Sequence, residues 1–180
     1  MVERDVLIRG DLVRTSSSKS AQPREPGSAP EGTAVQLGRY VYISQGCTLH
    51  PPSRIHSIKD KTGQDVQTML YYPLRISDYV FVGANTHIRA AEIRSNVQIG
   101  ANCTIGNMCT IKDNVKILDG TVLPDYSNWA SGTIVAGRPA RIVGELGPGW
   151  GSGGAGGGTS VDEGIGVRSR ERYAAVNTKK

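Results

Sequence analysis

The sequence predicts an all-β fold, a parallel β-helix of very short strands, on three observations. Aliphatic residues recur at every sixth position, turn-forming residues fall between them, and large rings are scarce, with 6% aromatics and one Phe in 180 residues. A six-residue period fits neither the helical repeat of about 3.6 nor the alternation of an ordinary strand. It reads as a short strand plus a tight corner, and three such units, 18 residues, close one triangular coil.

The ladder runs in three stretches. Leu37, Ile43 and Leu49 form the first, Ile76, Val82 and Ile88 the second, and Ile93, Ile99, Ile105, Ile111, Ile117 and Leu123 the third. The fourth residue after most of them is small or β-branched: Val41, Cys47, Val80, Thr86, Val97, Cys103, Cys109, Val115 and Thr121. Between lie Gly83-Ala84-Asn85, Gly100-Ala101-Asn102, Gly106-Asn107, Asp113-Asn114 and Asp119-Gly120, residues that tolerate tight corners. Successive coils should stack at about 4.8 Å through parallel ladders. Ile93 then lies under Ile111, Ile99 under Ile117 and Ile105 under Leu123. Ile88 to Ile93 is one residue short of the period, and the corner Ala90-Ala91-Glu92 is where that deletion is absorbed.

The β-helix is expected over 1–146, with two excursions. Residues 15–33 carry no large apolar side chain and read as a disordered insertion. Residues 51–73 leave through Pro51-Pro52 and return through Tyr71-Tyr72-Pro73 as a protruding loop, with Ile55, Ile58, Val66, Met69 and Leu70 available for local packing. Residues 147–158 hold eight Gly in twelve and read as a flexible linker. Residues 159–180 are a tail with helical potential around 168–176.

Charge and cysteine content exclude several classes. The net charge of +5 is spread along the chain, so no segment reads as a nucleic-acid footprint. No run approaches the roughly 18 apolar residues of a membrane span, and the charged start Met1–Asp5 shows no secretory signal. Three Cys argue against a disulfide framework and for a reducing compartment.

The hexapeptide pattern resembles the left-handed parallel β-helix superfamily; the left hand is implied by that resemblance. Arg9-Gly10-Asp11 at the opening coil and Ala136-Gly137-Arg138-Pro139-Ala140 at the closing one look like its carbonic-anhydrase-like branch. Within the branch, more specific stretches are similar to the dynactin subunit 5 family. They are Leu7–Leu12, Pro51-Pro52, Tyr72–Val82, Ala90–Ile93, Asn102–Gly106, Lys116–Pro124 and Gly144-Glu145-Leu146. The likeness covers about 110 residues, the whole β-helix, and departs from the family at the start, at 15–33 and after the β-helix.

Enzyme chemistry is the rival reading. Carbonic-anhydrase relatives hold zinc with three His, plus an open position for an activated water. In the alignment His50 falls on the first ligand position, but the later pair falls on Ala84 and Arg89. His87 and His56 are displaced from the ligand positions, and His50 reads as a surface residue at a coil corner. An acyltransferase would need a His base, and His87 has no evident partner in the sequence. Cys47, Cys103 and Cys109 sit at inward small positions and read as core. Arg9 and Asp11 read as a salt bridge at a subunit edge. The run 147–158 lacks the Gly-Lys-Ser/Thr ending of a phosphate loop.

The expectation is therefore a non-catalytic scaffold with no catalytic residue, metal or cofactor. The resemblance implies a cytoplasmic, cytoskeleton-associated subunit of the dynactin pointed-end complex. Its implied partners are dynactin subunit 6, the actin-related protein, the large zinc-containing subunit and dynein cargo adaptors. Neither nucleic acid nor direct membrane insertion is expected. The candidate partner-binding residues are Tyr71 and Tyr72 with Arg54 and Lys59, beside Lys61, since aromatic and Arg side chains dominate interface hot spots. The alternative is that both tyrosines merely cover the coil beneath them.

Overall fold

The computed structural model of the chain describes residues 1–12, 33–59, 65–147 and 150. The insertion expected at 15–33 (apart from Thr33), the tail expected at 159–180 and Lys61 lie outside the described residues. In chain order the strands begin with β1 (Leu7–Ile8), β2 (Val35–Leu37), β3 (Tyr42–Ile43) and β4 (Thr48–Leu49). The longer β5 (Ser53–Lys59) and β6 (Asp65–Tyr71) follow. Then come β7 (Leu74–Ile76), β8 (Phe81–Val82), β9 (His87–Ile88), β10 (Glu92–Ile93), β11 (Gln98–Ile99) and β12 (Thr104–Ile105). The last are β13 (Thr110–Ile111), β14 (Lys116–Ile117), β15 (Val122–Leu123), β16 (Asn128–Trp129), β17 (Thr133–Gly137) and β18 (Ala140–Glu145).

Three sheets, parallel except for the β17–β18 pair, make the three faces of a prism. The first face runs β1-β4-β9-β12-β15, the second β2-β7-β10-β13-β16, and the third β3-β8-β11-β14-β17-β18. Most coil strands have only two residues, and the second points inward. Ile99 pairs with Val82 on one side and Ile117 on the other, and all three are buried. Each such isoleucine contributes about 1.5–3 kcal/mol by burial. Because the column is only one side chain thick per face, aliphatics fill it without large rings.

The register carries the expected deletion. Ile76 pairs with Ile93, Val82 with Ile99 and Ile88 with Ile105, each 17 residues apart. Beyond that point Ile93 pairs with Ile111, Ile99 with Ile117 and Ile105 with Leu123, each 18 apart. The corner that loses a residue therefore follows Ile88, and its Ala90 is fully buried.

Corners are held by stacked left-handed residues. Asn85, Asn96, Asn102 and Asn114 have φ between 54° and 57°, a region Asn adopts more readily than most side chains. Each passes its backbone N–H to the preceding coil, as Asn102 does to the Ala84 carbonyl at 2.8 Å. Corner aspartates add a second staple. Asp119 accepts the Ala101 N–H at 2.8 Å, Asp113 that of Ser95 at 3.0 Å, and Asp78 that of Arg39 at 2.7 Å. At Gly106 the next coil is so close that a Cβ would stand 2.6 Å from the backbone of Pro124 and Asp125.

Two details differ from the sequence expectation. Leu37, counted in the inward ladder, lies in the edge strand of the second face and is 38% exposed. The ladder also continues past Leu123, through Trp129 and Val135, which pair with Ile111 and Ile117 and are buried. At that end β18 folds back antiparallel on β17, with Ala136-Gly137-Arg138-Pro139-Ala140 at the reversal. Among the described residues no helix is long and apolar enough to cross a membrane.

Candidate functional site

The excursion at 51–73 is a β-hairpin. β5 and β6 pair antiparallel from Ser53 opposite Tyr71 to Lys59 opposite Asp65. Alternation along the two strands separates two faces. On one, Ile55 stands opposite Met69, and they are 65% and 52% exposed. The expectation that these two serve local packing is corrected: they are held toward solvent as a cross-strand apolar pair.

The hairpin is anchored far from its own coil. Its base follows β4, yet Ser53 bonds to Asn107 at the corner after β12. It thus crosses the intervening coil, that of β9, to reach the one beyond. The Asn107 side-chain oxygen accepts the Ser53 N–H at 3.0 Å, and its amide donates to the Ser53 carbonyl at 2.8 Å. One coil further on, the Arg54 guanidinium lies over the Tyr126 ring, 5.5 Å from its centroid, a cation–π contact. Tyr126 is 59% exposed.

The residues singled out in sequence are distributed over this hairpin. Tyr71 is half-buried, its ring 6.0 Å from that of His50. Tyr72 is half-buried and its hydroxyl meets His56 Nε2 at 2.9 Å, while its N–H donates to the Pro52 carbonyl. Arg54 is exposed. Lys59 ends β5 at the distal end of the ladder. Neighbours in sequence, the two tyrosines therefore meet different partners: Tyr71 faces His50 at the end of β4, while Tyr72 braces the hairpin across its own base. Ile55, Met69, Asn107 and Tyr126 are the members sequence reasoning missed.

On the first face, Thr48 pairs with His87 and Leu49 with Ile88, which brings His50 level with Arg89. A groove of about 310 Å³ there is lined by Thr48, His50, His87, Ile88 and Arg89. His50 Nδ1 lies 2.8 Å from the Pro51 carbonyl, and since a carbonyl only accepts, Nδ1 carries the proton. The zinc site of the carbonic-anhydrase branch does not fit these residues. Its second and third ligand positions hold Ala84, which has no donor atom, and Arg89, a permanent cation. Among the described residues no three His, Cys, Asp or Glu converge to hold a metal.

The remaining candidates have structural surroundings. Cys47, Cys103 and Cys109 are buried and free, and burial pushes all three thiols upward in pKa. Cys47 donates to the Gly83 carbonyl and Cys103 to that of Leu118, at 3.1 and 3.2 Å. Arg9 and Asp11 form a bidentate ion pair with both bonds at 2.9 Å. The Arg9 guanidinium holds the Asp11 carboxyl below the usual carboxylate range. The pair is solvent-exposed, so it contributes little to stability.

Hexad-spaced inward aliphatics on three parallel faces define a hexapeptide-repeat protein of the left-handed parallel β-helix class. A family model described as dynactin subunit 5 matches residues 31–150. The chain belongs to the dynactin subunit 5 family. Similar solved structures include a maltose O-acetyltransferase from Clostridium difficile 630, at 15% identity and TM-score 0.41, covering 82% of this chain and 66% of that one. A serine O-acetyltransferase from Brucella melitensis is 20% identical with TM-score 0.32, covering 63% and 41%. A hexapeptide transferase family protein from Anaplasma phagocytophilum is 14% identical with TM-score 0.47, covering 97% and 89%. The chain thus spans less than two thirds of the first two proteins. Comparison with curated proteins gave no match.

Proposed function

We propose that the chain is a non-catalytic docking subunit of the dynactin pointed-end complex. It would work in the cytoplasm, associated with the cytoskeleton, beside dynactin subunit 6, the actin-related protein and the large zinc-containing subunit, and present a surface to dynein cargo adaptors. Family membership supports the complex. The observation that carries the docking role is the exposed Ile55–Met69 pair, raised on a hairpin that Asn107 pins to a rigid prism. Arg54 and the exposed Tyr126 pair on the other face of the same hairpin, and aromatic and Arg side chains dominate interface hot spots. Lys59, Tyr71 and Tyr72 belong to the same hairpin. The zinc reading is disfavoured by Ala84 and Arg89 at two of its three ligand positions.

Affinity purification of the tagged full chain from its source cells tests this reading. The actin-related filament and dynein should co-purify with the wild type, and their recovery should fall sharply for Ile55→Asp/Met69→Asp. A solitary chain, or one that carries stoichiometric zinc and hydrates carbon dioxide, would sink the proposal.

A further inference from the structure

We propose that the groove on the first face is a carboxylate-binding site for an acidic segment of a partner protein, with Arg89 as its anchoring cation. Thr48, His50, His87 and Arg89 each bring a polar group to the groove, although most of the surface that lines it is apolar. None of its five lining residues is acidic. Arg89 is exposed, and among the described residues its guanidinium has neither an ion pair nor a hydrogen bond. Asp11, near enough to His50 for their charges to interact, is taken up bidentately by Arg9, which the β1–β4 register brings level with His50. Among the described residues Arg89 is thus a planar fork of donors with no ion-pair partner of its own, beside further polar groups in a concavity. That geometry suits bidentate capture of a carboxylate.

Size and charge narrow the occupant. At about 310 Å³ the groove takes one or two side chains, and a single free guanidinium makes no track for a nucleic-acid backbone. The chain's own segments outside the described residues are poorly suited. Residues 13–32 hold three basic and two acidic groups, 3 − 2 = +1, and residues 151–180 hold five and three, 5 − 3 = +2. An acidic stretch from another protein complements the site; these do not. The inference stands on this groove alone and does not depend on the subunit reading or on the hairpin.

The test is an NMR titration of the isotope-labelled full chain with an acetylated tetraglutamate peptide, at about 50 mM salt so that screening stays weak. Amide shifts should be confined to Thr48–His50 and His87–Arg89. Arg89→Gln should weaken binding about tenfold or more, the scale of a charge-assisted hydrogen bond, while Arg89→Lys keeps part of it. Because Arg89 is exposed, an unchanged melting temperature checks that the variants fold; His50→Gln serves as a second variant and should also weaken binding. The assignment is overturned by any of four results. They are shifts spread over the whole surface, equal binding of the matched tetraglutamine peptide, undiminished affinity in Arg89→Gln, or inorganic phosphate displacing the peptide at lower concentration than glutarate. Since the isolated chain is used, any of these would leave the co-purification result untouched.

Discussion

Asn107 grips Ser53 with both ends of its amide, joining residues 54 positions apart in the chain. Both are buried, at 8% and 6% exposure. The Ser53 backbone N–H and carbonyl therefore have a single shared partner in place of water. This one side chain converts an excursion between two coils into an element fixed against the prism two coils on.

Asn107→Ala should loosen the hairpin and lower global stability. It strands a buried donor and a buried acceptor, each worth about 1–3 kcal/mol when left unpaired. Faster hydrogen exchange at the hairpin amides, with the coil amides protected, is the expected signature. Uniform exchange across both regions would show that Asn107 does not anchor the hairpin.

Ile99→Ala should cost about 2–5 kcal/mol in urea denaturation, because the side chain is fully buried between two coils. Leu37→Ala, at the exposed edge of the second face, should cost far less. Equal losses at the two positions would contradict the inward ladder as drawn.

The three thiols should react slowly with a disulfide-exchange reagent in the native protein and rapidly in urea, with three groups released per chain. Burial raises each thiol's pKa and so lowers its thiolate fraction. A fast-reacting thiol in the folded chain would mark a reactive rather than a packing cysteine.

Asp78 makes stability fall in acid. Its carboxylate accepts the Arg39 N–H and pairs with the Arg39 guanidinium, which hold its pKa below the ordinary aspartate value. A carboxyl more acidic when folded adds stability above the unfolded value, and loses it as pH falls below about 4 through the folded one. Asp78→Asn should flatten that part of the urea-midpoint profile. An unchanged acid limb in the variant would assign it to other carboxylates.

The prism itself was readable from residue spacing. Every coil repeats the same environment, so the demand for an inward aliphatic recurs at a constant interval, and even the deletion after Ile88 appears as a break in the count. The same count, carried two steps beyond Leu123, reaches Trp129 and Val135; an aromatic at an inward position hid the continuation. Where the 51–73 excursion would land was not readable. Its anchor is a contact between chain segments with no shared period, and nothing near Ser53 points to Asn107. The exposure of Ile55 and Met69 and the meeting of His50 with Arg89 were likewise settled by stacking. Burial and groove geometry depend on which coil lies alongside, a property of the assembled prism rather than of any stretch of chain.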